Sequence, residues 1–299
     1  MRSEQEMLEL ILNFVKQDVN IRAVAMNGSR TNPNAKKDIF QDYDIACFVD
    51  DLTPYVRNDA IPKYFGEILI LQEPENMQDP PPEEDGHYAY LMQFKDGNRI
   101  DLSFDRIERI RSVLDDSLTI VLLDKDDILG EVPPSSDRDY LPKKPTDKQF
   151  QDCCNEFWWV NPYAAKGLWR GELTYSKYMM DVVIREEQLM KMLTWYFGVK
   201  TDFKRSPGKF GKYIKSGVEP EIWLELEKTY CDANFENIWE SLFCMGRLFR
   251  RMAIAVATEF GFQYPQQDDD NVSEYLMKIK NLPGDATTFQ LKGNGISSI

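Results

Sequence analysis

The sequence predicts an α+β protein in two parts, strands mixed with helices over residues 1–145 and helices alone over residues 146–290. Three observations carry this. Short apolar runs separated by turn residues fill the first half; Pro133, Pro134, Pro142 and Pro145 with Ser135-Ser136 make a linker between Gly130 and Pro145; long aromatic-rich stretches without strand alternation follow.

Ser3-x-x-Glu6 is a capping box, and Met7, Leu8, Leu10, Ile11, Phe14 and Val15 follow at helical spacing, so a first helix spans residues 3–18. Ile21 to Met26 is a strand, Asn27 to Gln41 a polar loop, and Ile45 to Val49 a second strand. Asp51 to Lys63 is loop or short helix, Glu67 to Gln72 a strand, and Glu73 to Gly86 a loop rich in proline and acid. Residues 87–94 and 99–104 form a hairpin across Lys95-Asp96-Gly97-Asn98. A short helix over Ile107 to Leu114 and a strand over Thr119 to Leu123 complete the first part.

Helices are expected over Asp147 to Val160, Pro162 to Phe197, Pro220 to Tyr230 and Asn234 to Phe260. Pro162 is read as a break. Lys177, Asp181 and Arg185 are spaced by four and share a face, which either meets solvent or lines a cleft between domains. Asp268 to Asp270 reads as solvated acid, and residues 291–299 as a disordered tail.

Composition narrows the function. No apolar run approaches the roughly 18 residues of a membrane span, and M-R-S-E-Q-E opens a helix instead of a signal peptide, so a cytoplasmic protein without membrane contact is expected. Five cysteines without C-x-x-C spacing read as buried, reduced thiols. The single histidine, His87, reads as structural and leaves little for a Ser-His-Asp hydrolase. Net charge is −14, with 29 acidic against 17 basic residues over 1–145 and 21 against 19 over 146–299. Such a balance disfavours nucleic acid and attracts a small cation. Neither G-x-x-x-x-G-K-[ST] nor G-x-G-x-x-G occurs.

One constellation carries chemistry. Gly28-Ser29 ends an apolar run, and twelve residues later Asp42 and Asp44 straddle Tyr43 at the start of the next. Acids at i and i+2 on a strand point the same way, a geometry suited to a hard divalent cation. Glycine admits a phosphate close to the backbone, where the Ser29 hydroxyl can meet it. Asp101, between Ile100 and Leu102 in a buried strand, must face a cation or a cleft.

These residues resemble the signature of the nucleotidyltransferase superfamily related to DNA polymerase beta. More narrowly, M-R-S-E-Q-E-M, G-S-R-T-N-P-N, F-Q-D-Y-D-I and F-W-W-V-N-P-Y-A-A-K-G-L-W-R-G-E-L make the chain similar to the aminoglycoside 6-adenylyltransferases, also called streptomycin adenylyltransferases, over roughly residues 1–290. The resemblance implies a nucleotidyltransferase domain over 1–145 with a mixed sheet flanked by helices, and a helical, substrate-binding bundle over 146–290. It implies transfer of AMP from ATP to the 6-hydroxyl of streptomycin by a monomer using Mg²⁺, two ions, with pyrophosphate released and resistance conferred.

Asp42 and Asp44 would hold metal, and Asp101 would complete that site or accept the hydroxyl proton. Gly28, Ser29 and Arg30 would meet the phosphates of ATP, with Lys177, Lys209 and Lys212 as further candidates. Streptomycin carries guanidinium groups, so Trp169, Glu172 and Asp181 are candidates for the acceptor site. Two alternatives stay open: the same fold acting on another aminoglycoside or a protein hydroxyl, as in toxin-antitoxin systems, and a binding relic without chemistry. Retention of all three acids argues against the relic.

Overall fold

The computed structural model describes residues 1–82 and 85–290, so the expected tail over 291–299 lies outside the described residues. The chain divides into two compact units, Met1–Asp139 and Tyr140–Ile299, and the expected boundary near residue 145 stands a few residues inside the second.

In the first unit, helix α1 (Glu4–Gln17) starts at the capping box, where Ser3 Oγ accepts from Glu6 N at 3.3 Å and the Glu6 carboxylate accepts from Ser3 N at 2.7 Å. Strands β1 (Ile21–Asn27), β2 (Tyr43–Val49), β3 (Ile68–Gln72), β4 (His87–Phe94), β5 (Arg99–Arg106) and β6 (Thr119–Asp124) form one sheet in the order β3-β4-β5-β2-β1-β6. Only β2 and β5 run parallel, so the sheet is mixed. Short helices α2 (Ala60–Phe65) and α3 (Ile110–Leu114) flank it.

Strand alternation gives the sheet two unlike faces. Ile45, Cys47 and Val49 of β2 join Ile100, Leu102 and Phe104 of β5 in the main core, which Met7, Ile11 and Val15 of α1 complete. The other face carries Asp44, Ala46 and Phe48 on β2 against Asp101, Ser103 and Asp105 on β5. There Ala23, Ala25, Ala46 and Phe48 pack with Leu129 and with residues of α3, a smaller core that leaves part of the face open.

The second unit is helical: α4 (Asp147–Trp169), α5 (Leu173–Tyr178), a π-helical segment (Met179–Leu189), α6 (Met190–Lys200), α7 (Pro220–Glu227), α8 (Phe235–Phe260) and α9 (Gln266–Lys280). Its elements depart from expectation in three places. Helix α4 runs through Pro162 and ends near Gly171, whose φ of +74° suits glycine. A ring in mid-helix crowds the preceding turn, and Asn161 Nδ2 donates to Phe157 O at 2.6 Å beside it. Asp268 to Asp270 lies in α9, where Asp269 is fully buried, pairs with Arg250 and accepts from Tyr264 Oη at 2.6 Å; it is not solvated. Lys177, Asp181 and Arg185 form ion pairs among themselves, at 3.0 Å and 2.8 Å from Asp181, and the buried Arg185 lies over the Tyr230 ring at 4.2 Å.

Candidate active site

The site is built at the end of the sheet where β1 passes into the polar loop. In the parallel β2/β5 pair Asp44 stands directly opposite Asp101, and in the antiparallel β1/β2 pair it stands opposite Asn27. Neighbouring strands lie about 4.8 Å apart, so two carboxylates are held side by side on the open face. Gly28 follows at φ +80°, and a side chain there would collide with the Asp44 carboxylate. Glycine therefore serves both the turn and the acid. The Ser29 hydroxyl makes no hydrogen bond among the described residues, while the Ser29 carbonyl accepts from Gln41 Nε2 at 3.1 Å.

Asp42 reaches the group through a third residue. The Arg99 guanidinium grips both oxygens of Asp101, Nε to Oδ1 at 2.8 Å and a terminal nitrogen to Oδ2 at 2.7 Å, and its Nε stands 3.6 Å from Asp42 Oδ2. Burial raises the Asp42 pKa above the usual carboxylate value; Arg99 and Arg30 oppose the rise, and the charge of Asp101 adds to it. A carboxylate that burial, and to a lesser extent a neighbouring acid, holds against ionisation marks a place where a cation is favoured.

A cleft of about 290 Å³ opens on this face, with Asn27, Asp44 and Asp101 along it together with His87, Asp105 and Arg109. Asn27 Oδ1 is buried and has no partner among the described residues. His87 sits opposite Asp105 on the β4/β5 pair, four register positions from Leu91 and Asp101, with Ala89 and Ser103 midway between. Asp105 is buried and accepts from His87 Nδ1 at 2.8 Å, Ser103 Oγ at 2.8 Å and Arg109 Nε at 3.0 Å. Arg109 thereby ties the start of the α3 region to the sheet.

The other expected site residues fall as follows. Arg30 is engaged inside the loop: it donates to Asp42 O at 3.2 Å and Gln41 O at 2.6 Å, and lies 3.8 Å from the Tyr43 ring centre. These contacts close the polar loop on its own base and give Arg30 an architectural task. In the second unit, Lys177 and Asp181 belong to the ion-paired row, Lys212 lies 5.1 Å from the Tyr213 ring, and Lys209 lies 5.5 Å from the Phe210 ring. Trp169 is partly buried and donates through Nε1 to Leu282 O at 3.2 Å, and Glu172 stands at the N-terminal end of α5, makes no capping hydrogen bond there and lies 3.9 Å from Arg170.

Sequence reasoning missed Arg99, Asn27, Asp105 and Arg109. Three of them were within reach, because positions 99, 103 and 105 share the face of Asp101, and Asn27 opposes Asp44 once the two strands are paired.

Among the described residues no group of three or more His, Cys, Asp or Glu side chains is gathered closely enough to hold a metal ion. In kind the donors fit a hard cation: three carboxylates at one sheet end, one of them resisting ionisation, with an arginine supplying the positive charge.

A six-stranded mixed sheet bearing a Gly-Ser turn beside paired aspartates is the framework of a nucleotidyltransferase. Over residues 1–279 the chain matches the family model described as streptomycin adenylyltransferase. It is 41% identical to an aminoglycoside 6-adenylyltransferase of Campylobacter jejuni, covering 95% of this chain and 98% of that protein. Identity is 38% to the Bacillus subtilis protein of the same description, covering 93% and 98%, and 35% to that of Staphylococcus aureus, covering 92% and 98%. A crystal structure described as an aminoglycoside 6-adenyltransferase from Bacillus subtilis aligns at 34% identity over 94% of this chain and 99% of that one, with a TM-score of 0.45. The chain belongs to the streptomycin adenylyltransferase family. Among the described residues no helix is long and apolar enough to cross a membrane.

Proposed function

We propose that the protein transfers AMP from ATP to the 6-hydroxyl of the streptidine ring of streptomycin, in the cytoplasm, with release of pyrophosphate. The observation that carries this reading is the Asp44/Asp101 pair beside Gly28 and Ser29, in a chain of this family.

The chemistry assigned to each residue follows from its position. Gly28 lets the triphosphate approach the backbone, and the Ser29 hydroxyl donates to a phosphate oxygen. Asp42 and Asp44 would hold Mg²⁺, with Asp101 beside them. When bound, the ion neutralises phosphate charge and polarises the attacking hydroxyl. Asp101 accepts the proton of that hydroxyl as its oxygen bonds to the α-phosphorus and the bond to the β-phosphate oxygen breaks. Arg99 grips both oxygens of Asp101, and that grip must loosen for the carboxylate to reach a substrate.

Purified protein incubated with ATP, Mg²⁺ and a panel of aminoglycosides tests this by mass spectrometry. The expected result is an AMP increment on streptomycin, lost in Asp44→Asn with folding intact. Modification of kanamycin alone would replace the acceptor and keep the reaction; full activity of Asp44→Asn would remove the assignment of the acids.

A further inference from the structure

The row of side chains that sets Asp44 beside Asp101 continues across the sheet. In register it runs from Asn27 on β1 through Asp44 on β2 and Asp101 on β5 to Leu91 on β4 and Gln72 on β3, so all five stand on the open face. The next row on that face pairs Arg99 with Gln93 and Gln93 with Ile70. At about 4.8 Å per strand, Leu91 is one strand from Asp101 and Gln72 is about 10 Å away.

A cleft of about 400 Å³ lies over these two rows, wholly within the first unit, with Ile70, Gln72, Leu91, Gln93 and Arg99 along it. This is within the range of small-molecule sites. Leu91 also lines the cleft that holds Asp44 and Asp101, so the two hollows share a side chain. Ile70 is 68% exposed and makes an apolar floor with the half-buried Leu91, while the other face of β4 buries Tyr88, Tyr90 and Met92 in the main core. Two amides flank the floor. Gln93 is fixed by the hairpin turn, donating through Nε2 to Asn98 O at 2.9 Å; Gln72 Nε2 meets only Met77 Sδ, at 3.4 Å, a weak acceptor that a hydroxyl readily replaces. An apolar floor between two amides suits a saturated ring with hydroxyls at its rim.

The direction of transfer says which substrate lies here. Attacking and leaving oxygens stand roughly in line across the phosphorus. With the triphosphate at Gly28 and Ser29, just past the end of β1, pyrophosphate departs on the β1 side of the acids, and the attacking hydroxyl enters from the opposite side. In the strand order that is the side of β4 and β3.

We propose that the acceptor ring bearing the attacking hydroxyl lies on this platform: Leu91 and Ile70 carry its apolar face, Gln72 and Gln93 hydrogen-bond its rim, and the reacting hydroxyl points at Asp101. Arg99 stands between platform and acid with its side chain 40% exposed, placed to swing away as the ring enters. The inference rests on the reading of the protein as an aminoglycoside adenylyltransferase and names acceptor contacts that reading leaves out.

The test compares the full-length protein with Gln72→Ala and Ile70→Ala, recording kcat, KM for ATP, KM for streptomycin or whichever aminoglycoside the wild type modifies, and mass in solution. Both positions are exposed, so both variants keep the fold. The expected result is a rise of about fivefold in the aminoglycoside KM of each, with the ATP KM and kcat unchanged. An unchanged aminoglycoside KM in either variant, with AMP transfer by the wild type intact, overturns the platform and leaves the reaction standing. A raised ATP KM makes the cleft a nucleotide site, and a wild-type dimer that Ile70→Ala turns monomeric gives the edge of β3 to a second copy; each overturns it too. Absence of AMP transfer to any aminoglycoside by the wild type overturns both readings.

Discussion

His87 shows how much one side chain's surroundings decide. Burial alone would lower its pKa, but the hydrogen bond to Asp105 and the charges of Asp105 and Glu75 outweigh burial and raise it. Asp105 moves the other way: burial would raise its pKa, and His87, Ser103 and Arg109 bring it below the usual carboxylate value. A raised histidine pKa means that the folded state holds the proton more tightly, so the stabilisation is complete below about pH 6.5 and fades as pH climbs through the folded value. The Asp105 contribution is present above about pH 3.9 and fades as pH falls through its own lowered value. His87→Gln should therefore cost about 2 kcal/mol at pH 6 and progressively less toward pH 9, measured by urea unfolding across that range. A cost that does not change with pH would show that the imidazolium charge plays no part. That Asp44 and Asp101 share one face was readable because side chains on a strand alternate, so charge at an inward position needs a reason. The hold of Arg99 on Asp101 was not, since an arginine two residues away along a strand can as easily reach solvent.

At the scale of elements, local rules located strands and caps and failed where packing outweighed them. Pro162 should end a helix, yet α4 continues because Phe157, Trp158, Ala164 and Ala165 are all buried in one core, with Phe157 stacked on Phe249 at 3.8 Å. Asp268 to Asp270 reads as a solvated run until α9 is given a phase, and then the middle acid points inward. Asp269 is fully buried, pairs with Arg250 of α8 and accepts from Tyr264 Oη and from Ser273 Oγ at 2.9 Å. Removing one partner of such a network strands the other. Asp269→Ala should lose about 3–5 kcal/mol in urea unfolding, while Asp268→Ala, one residue away and exposed, should change stability little. Equal small losses in both variants would mean that the network contributes no more than a surface ion pair.

For the whole molecule the uneven charge carries a consequence that no single residue does. Acids exceed bases by twelve over residues 1–145 and by two over residues 146–299, so the half with the paired aspartates produces most of the negative field. A field of this sign concentrates cations near the surface and speeds their encounter, by a factor that falls as salt screens it. The Debye length is about 30 Å at 0.01 M and about 8 Å at 0.15 M, so attraction acts over the breadth of a domain in the first case and over a few side chains in the second. For a streptomycin acceptor, kcat/KM should fall on the order of tenfold between these salt concentrations, mostly through KM, with kcat nearly constant. ATP is an anion approaching the same half, so its KM should stay level or improve as salt rises. Measuring both substrates in one titration separates steering from a general effect of salt on the fold, because loss of structure would worsen both. A streptomycin kcat/KM that holds constant across the titration would show that the acidic surface serves solubility alone and that the acceptor is drawn in by contacts at the site.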